Sequence, residues 1–153
     1  MSYGMTNYLR NKIVDWFHRG VSYTPPATTY VRLVTTTPTA AAAGTEVAFT
    51  GYAAQPIAQS TTAWAATNAD ASTTNPSSGT GGTTSNNAIV NFGIAGSAGS
   101  AAVTHWELWD AATGGNRLMW GEIVDGTGTP TPRSIASGDP VSFPISYFRV
   151  GWA

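Results

Sequence analysis

The chain has 153 residues, no cysteine, a formal net charge of −1 and only 10% charged residues, against about 25% in an average globular domain. This length suits one compact domain, and the absence of cysteine excludes a disulfide-rich scaffold. Because no polybasic segment is present, binding to nucleic acid or to a membrane surface is disfavoured. No apolar run approaches the roughly 20 residues that span a bilayer.

The composition favours an all-β fold. Ala, Thr, Gly and Ser make up about half of the residues, whereas Leu, Ile, Val and Phe together stay below a fifth. Six Trp and six Tyr supply the missing apolar area, because each aromatic side chain buries on the order of 150–250 Å². Thr and aromatic residues favour strands, and Gly and Pro divide the chain into short elements. We therefore expect a single β-sandwich or jelly-roll-like domain with a short N-terminal amphipathic helix.

The helix is predicted in residues 1–20, ahead of a β-domain in residues 21–153. Thr6 or Asn7 suits its N-cap, and Gly20 suits the position after its last turn. Apolar side chains recur at the spacing of one helical face: Leu9, Ile13, Trp16 and Phe17. This face either packs on the core of the same domain or docks on a neighbouring subunit, so these four residues are the candidate interface.

Strands are predicted along the rest of the chain, in residues 29–36, 46–58, 61–66, 87–94, 102–109, 117–124 and 141–152. The turn-forming residues 110–116 predict a hairpin between the fifth and sixth of these strands. Pro56 indicates an edge position or a bulge, and Pro144 indicates an edge position or a break. Residues 68–85 contain Gly and Pro but no large apolar side chain, which predicts a long surface loop within the domain.

Catalytic and metal-binding patterns are weak. The serine motif G-x-S-x-G does not occur, and the glycines of residues 79–82 lack the lysine of a phosphate-binding loop. His105 and Glu107 share one face of a predicted strand, yet two ligands make a poor metal site, and a polar face near solvent or at a subunit contact is the simpler interpretation. Turn positions explain three further acidic residues: Asp110, Asp125 and Asp139. We expect no enzyme activity, no cofactor and no metal.

Exposed tryptophans would allow stacking on sugars, and three candidates are Trp64, Trp109 and Trp120. A core position is the more common fate of tryptophan, particularly in a chain with so little leucine. A free carbohydrate-binding module with an exposed Trp pair therefore remains an alternative that ranks below a structural role.

Several short strings follow one another in a fixed order: YTPPA at 23–27, YVRL at 30–33, GTEV at 44–47, GYAAQ at 51–55, VTHW at 103–106, DAATGGN at 110–116, Leu118, Trp120-Gly121 and SGD at 137–139. From about Leu9 to Phe143, this order resembles a family of small virion proteins of tailed bacteriophages that are often labelled tail fibre proteins. The resemblance implies a compact β-domain behind a short helix and a place in the virion. It implies no catalytic residues.

The sequence also guides the choice of role within a virion. A short chain without heptads or Gly-X-Y repeats is a poor fibre shaft, and its low charge reduces repulsion between many copies. We therefore expect a capsid decoration (cement) protein that stabilises the head lattice, with a tail fibre or tail-associated adhesin subunit as the alternative. Expected partners are the major capsid protein or tail proteins, and further copies of this chain in a closed oligomer such as a trimer. A chain without cysteine is compatible with assembly in the reducing host cytoplasm.

Overall fold

A five-stranded antiparallel sheet forms the centre of the fold in the computed structural model, which describes residues 3–125 and 127–151. The strands in chain order are β1 (Tyr3–Met5), β2 (Thr28–Val34), β3 (Gln55–Ala58), β4 (Thr83–Ser85), β5 (Val90–Ile94), β6 (His105–Trp109), β7 (Arg117–Glu122), β8 (Pro140–Phe143) and β9 (Arg149–Gly151). The single α-helix of the described chain is α1 (Asn7–Arg19), and a 3-10 turn spans Thr67–Ala69. In space the central sheet runs β1-β7-β6-β2-β3.

Two short strand pairs, β4–β9 and β5–β8, form a second layer on the inner face of the central sheet. Trp106 on β6 meets Phe148 edge-on with ring centroids 5.5 Å apart, and Phe148 in turn contacts Phe143 on β8. All three side chains are almost fully buried. The arrangement confirms the all-β expectation and is sandwich-like, with aromatic residues filling the space that leucine usually fills.

The β6–β7 hairpin sets which side chains enter this core. Trp106 lies opposite Gly121, and Leu108 lies opposite Met119. A Cβ at Gly121 would stand 2.5 Å from the Trp106 ring, so this position has room only for glycine. The intervening residues of β6 point to the other face of the sheet, as the period of two along a strand requires. The predicted hairpin is confirmed, and so is the predicted common face of His105 and Glu107.

The outer face of the sheet is covered by the segment of residues 36–46. Its Gly44 N–H donates to Oε1 of Glu107 on β6 at 2.8 Å. A Cβ at Gly44 would lie 2.6 Å from the carbonyl oxygen of Thr36 and 2.8 Å from the side chain of Val34. The segment comes so close to the sheet at this position that only glycine fits. Because of this cover, Glu107 is only 1% exposed.

The helix begins and ends where the sequence predicts. The Leu9 N–H donates to Oγ1 of Thr6 at 3.3 Å, and the Thr6 hydroxyl donates to the carbonyl of Arg117 on β7 at 2.6 Å. Thr6 therefore caps the helix and fastens it to the sheet. Gly20 ends the helix with a left-handed φ of 68°. At 13 residues, α1 is too short to cross a bilayer, and no other helix of the described chain reaches that length.

Three predicted strands differ in extent from the observed ones. The region 46–58 forms a strand only at β3, an edge strand that includes Pro56, because an edge does not need the missing N–H of proline. Residues 61–66 were expected to form a strand but form a turn, and Trp64 makes only an isolated bridge to Asn86. The oxygen atoms of Ser60 stabilise this turn by accepting from the Ala63 and Trp64 N–H groups.

The last predicted strand, residues 141–152, is divided into β8 and β9. The division begins at Pro144 and includes Ser146, whose φ is 61°. The side chain of Asn86 stabilises the break, since its Oδ1 accepts from the Tyr147 and Phe148 N–H groups. Trp152, which we assigned to this strand, lies outside the described residues.

Two further features were not visible in the pattern. Strand β1 was not predicted, and it adds to the edge of the sheet beside β7 while also contacting β9, with the ring of Tyr3 against the backbone of Gly151. The expected loop 68–85 is mostly exposed and irregular, but its last three residues form β4. The boundary at residue 20 between arm and domain stays a prediction.

Candidate functional site

The C-terminal half of α1 presents apolar side chains to solvent. Phe17 is 72% exposed and Trp16 is 58% exposed, and their rings meet edge-on at 6.4 Å. Val14 and Val21 flank them, and each is about half exposed. Scattered single apolar residues are normal on a surface, whereas two large aromatic rings that meet in an exposed position mark a candidate interaction site. We call Val14, Trp16, Phe17 and Val21 the helix patch.

The four candidate interface residues separate into two pairs. Leu9 is buried in the core, and Ile13 packs partly against it. Trp16 and Phe17, the next members of the same helical face, extend beyond the part of the helix that the sheet supports. Packing on the core of the same domain therefore accounts for the inner pair only. That the outer pair binds a partner stays a prediction.

A buried ion pair lies on the outer face of the sheet. Nη1 of Arg117 is 2.9 Å from Oε1 of Glu107, and both side chains are almost fully buried. Oε2 of Glu107 accepts from Nε1 of Trp109 at 3.0 Å, and the guanidinium of Arg117 also donates to the carbonyl of Thr39. The expectation that Glu107 lies near solvent or at a subunit contact is thus wrong, because residues 36–46 cover it. Sequence patterns missed the pair since its two members belong to different strands.

His105 is also buried, at 6% exposure, which corrects the same expectation. Its Nδ1 lies 2.9 Å from Oγ1 of Thr104, and its ring centroid lies 6.0 Å from that of Trp120. Burial lowers the pKa of His105 below its usual 6.5, despite the opposing influence of Glu122 and Glu107. Within residues 3–125 and 127–151, no three potential metal ligands converge on one point.

Trp109 is held beneath an arginine. The Arg32 guanidinium lies 4.1 Å from the centroid of the Trp109 ring, a cation–π contact. Nη2 of Arg32 donates to three carbonyls of the β6–β7 turn, those of Ala111, Ala112 and Gly114, at 3.0–3.1 Å. This side chain therefore fixes the turn, and its exposed fraction is only 8%. Trp109 therefore stabilises the fold, with the Arg32 guanidinium over one face of its ring.

The two other tryptophans have different surroundings. The ring of Trp120 lies against the backbone of Gly4, where an added Cβ would come within 2.9 Å of the indole. Trp64 instead lines a cleft of about 790 Å³ between the loops of residues 59–66 and 72–77 and the sheet. Tyr23, Gln59 and Asn75 line the same cleft. Of the three tryptophans singled out from the sequence, only Trp64 lines this opening.

A protein-family model covers nearly the whole chain. The model of the Podophage GP4 fiber I protein gp80 family matches residues 4–151. The chain belongs to this family. It is therefore a bacteriophage structural protein of the fibre type, which confirms the resemblance found in the sequence. No curated protein matches it.

The matched range includes every part of the candidate site. The helix patch, the buried Glu107–Arg117 pair and the cleft beside Trp64 all lie within residues 4–151. The low charge and short length of the chain favoured a capsid decoration protein. Membership in this fibre family instead favours a tail fibre protein. Proteins of this kind associate with other phage structural proteins in the virion.

Proposed function

We propose that this protein is a subunit of a bacteriophage tail fibre and that it acts by binding, without catalysis. The observation that carries the proposal is the helix patch on a member of a phage fibre family. A fibre subunit must hold its neighbours in the particle, and exposed aromatic side chains are the residues that most often dominate protein–protein interfaces. Assembly in the host cytoplasm belongs to the same proposal, as does the absence of catalysis.

The helix patch has the chemistry of an assembly surface. Fully burying a large apolar side chain contributes about 1.5–3 kcal/mol, and Phe17 and Trp16 are still 72% and 58% exposed. Burial of the patch against a partner would thus contribute several kcal/mol. The α1 helix is also firmly held at its other end, through Leu9 and the Thr6 cap. Little conformational entropy is therefore lost when the patch binds a partner.

We propose a second copy of this chain as the occupant of the helix patch, within a closed oligomer such as a trimer. The low charge supports this choice: with a net charge of −1, identical copies repel one another weakly. The Arg19–Asp15 pair beside the patch is satisfied within the helix at 2.8 Å, so it needs no charged partner. An apolar patch suits a contact between identical copies, and in a trimer it would meet a different surface of the next copy.

Light scattering after size-exclusion chromatography tests this assembly. The wild-type protein is expected to elute as an oligomer, and Trp16→Ser with Phe17→Ser is expected to elute as a monomer that keeps its fold. Ile94→Ser is the matched control, since Ile94 is 70% exposed on β5, away from the helix. A wild-type protein that stays monomeric at every concentration, or an oligomer insensitive to the double substitution, would contradict the proposed contact.

The place in the virion is tested with gold-labelled antibodies on intact phage particles, viewed by electron microscopy. Labelling confined to the tail supports the fibre role. Labelling spread over the heads would replace it with the capsid decoration role that the low charge and short length favoured. Absence of the protein from purified particles would contradict both roles and favour a free binding module.

A further inference from the structure

We propose that the cleft beside Trp64 binds a neutral saccharide. It has a volume of about 790 Å³, within the roughly 300–1,000 Å³ typical of small-molecule sites. The inference rests on the proposed fibre role, because a fibre that contacts a host cell meets its surface glycans. It adds to that role the class of ligand and the place where the ligand binds.

The lining of the cleft selects for a ligand without charge. None of its lining residues is Asp, Glu, Lys, Arg or His. A buried carboxylate or phosphate would lose its hydration here without gaining an ionic partner, which is costly. Anionic glycans are thus disfavoured, whereas hydroxyl groups can bond with the amides and hydroxyls that surround the opening.

The same lining combines apolar surface with hydrogen-bonding groups. A sugar ring packs its C–H faces on apolar surface, and the hydroxyl groups at its edges need hydrogen-bond partners. Trp64 and Tyr23 supply aromatic surface, and Leu108, Met119 and Val150 supply aliphatic surface from the sheet. Gln59 and Asn75 supply amides on the loop side. Burial raises the pKa of Tyr23 above 10.0, so its phenol stays protonated as a donor at neutral pH.

One donor in the cleft wall lacks a partner. Nε1 of Trp64 is buried and makes no hydrogen bond within the chain. Buried donors of this kind are rare because each costs about 1–3 kcal/mol. Atoms of the chain itself cover this N–H, as they cover Nε1 of Trp120, so Trp64 offers a ligand its aromatic ring and not this donor.

Hydrogen bonds within the chain hold the walls of the cleft in place. Nε2 of Gln59 donates to Oγ1 of Thr29 on β2 at 2.8 Å, which orients the Gln59 amide. The N–H of Thr67 donates to Oγ of Ser77 at 3.2 Å, and the N–H of Asn75 donates to Oγ of Ser72 at 3.2 Å. The loop of residues 72–77 is thereby fastened to itself and to the neighbouring turn. A preformed cleft loses little entropy on binding.

The test uses the full chain and four neutral disaccharides as probes: maltose, lactose, cellobiose and chitobiose. Saturation-transfer NMR identifies a binder, and titration calorimetry measures its dissociation constant; sialyllactose serves as the anionic comparison. At least one neutral disaccharide is expected to bind saturably, and sialyllactose more weakly. No saturable binding by any of the four, or tighter binding of sialyllactose than of lactose, would overturn the proposal.

Two loop-side substitutions locate the binding site. Gln59→Ala and Asn75→Ala are each expected to weaken binding about tenfold, the loss of roughly one hydrogen bond. Gln55→Ala is the matched control, since Gln55 lies on β3 outside the cleft and its Nε2 donates to the nearby carbonyl of Ala53. The side chains of Gln59 and Asn75 lie outside the core, so both variants test binding without disturbing the fold. Trp64→Ala would also perturb folding, because Trp64 packs against the core. Unchanged affinity in both would place the saccharide elsewhere and overturn the assignment.

The two proposals fail separately. Antibody labelling on the tail without saccharide binding would remove the cleft assignment and leave the fibre role. Saccharide binding by a protein that is absent from phage particles would remove the fibre role and leave the cleft assignment.

Discussion

Replacement of Glu107 by Gln is the most direct test of how the outer face of the sheet is stabilised. Oε1 of Glu107 accepts from Gly44 N–H at 2.8 Å and from Nη1 of Arg117 at 2.9 Å, and Oε2 accepts from Nε1 of Trp109 at 3.0 Å. Every partner is a donor. The amide nitrogen of Glu107→Gln would therefore face a donor in either orientation, and Arg117 would remain buried without a counter-ion.

The expected loss is large. Removing one partner of a buried ion pair costs about 3–5 kcal/mol, and the Arg117 side chain here is only 6% exposed. In a chain of this size each kcal/mol lowers the melting temperature by about 2–4 °C, so the fall is expected to be roughly 10 °C. The low charge of the chain leaves few other ionic contacts to compensate.

Urea unfolding followed by tryptophan fluorescence measures this loss as a lower midpoint. Asp15→Asn is the matched control: Oδ1 of Asp15 lies 2.8 Å from Nη1 of Arg19, and both side chains reach solvent, at 33% and 69% exposure. Such an exposed pair contributes less than about 1 kcal/mol. If the two variants lost equal stability, the buried pair would contribute no more than an exposed one, and our reasoning about the outer face would be refuted.

Three further measurements test other parts of the fold. Thr6→Ala removes the helix cap and is expected to cost about 1–2 kcal/mol in urea unfolding, whereas Thr6→Ser should retain most of that stability. Gly44→Ala places a methyl group 2.6 Å from the Thr36 carbonyl and is expected to cost about 1–3 kcal/mol; no loss would mean that residues 36–46 move freely. Burial lowers the pKa of His105 in the folded chain. As the pH drops below 6.5, the imidazole therefore binds a proton in the unfolded chain before it does in the folded chain, and the free energy of unfolding is expected to fall. His105→Gln should flatten that dependence, and an unchanged pH profile would contradict it.

Local interactions explain which parts of the fold could be predicted. The Thr6 cap and the Gly20 ending depend on bonds within one helical turn. The faces of β6 follow from strict alternation, since Trp106 and Glu107 must point in opposite directions whatever lies around them. The break after β8 begins at Pro144, which cannot donate to a ladder. Each of these rules needs only a few neighbouring residues.

The features that escaped prediction depend on distant segments. The charge of Glu107 indicated a position near solvent. Its burial depends on residues 36–46, which cover it, and on Arg117, which pairs with it. The helical period grouped Trp16 and Phe17 with Leu9, yet the extent of the sheet decides which of them is covered. The cleft beside Trp64 is assembled from several separate segments, so its neutral lining exists only in the folded chain.

The contact between Tyr3 and Gly151 brings the two ends of the described chain together at one corner. A pull applied through both ends would thus pass across this corner and across the pairing of the short edge strand β1 with β7. A polypeptide fused at either end would emerge from the same place. Repeated along a fibre, such a domain would add width to the shaft at each position and little to its length.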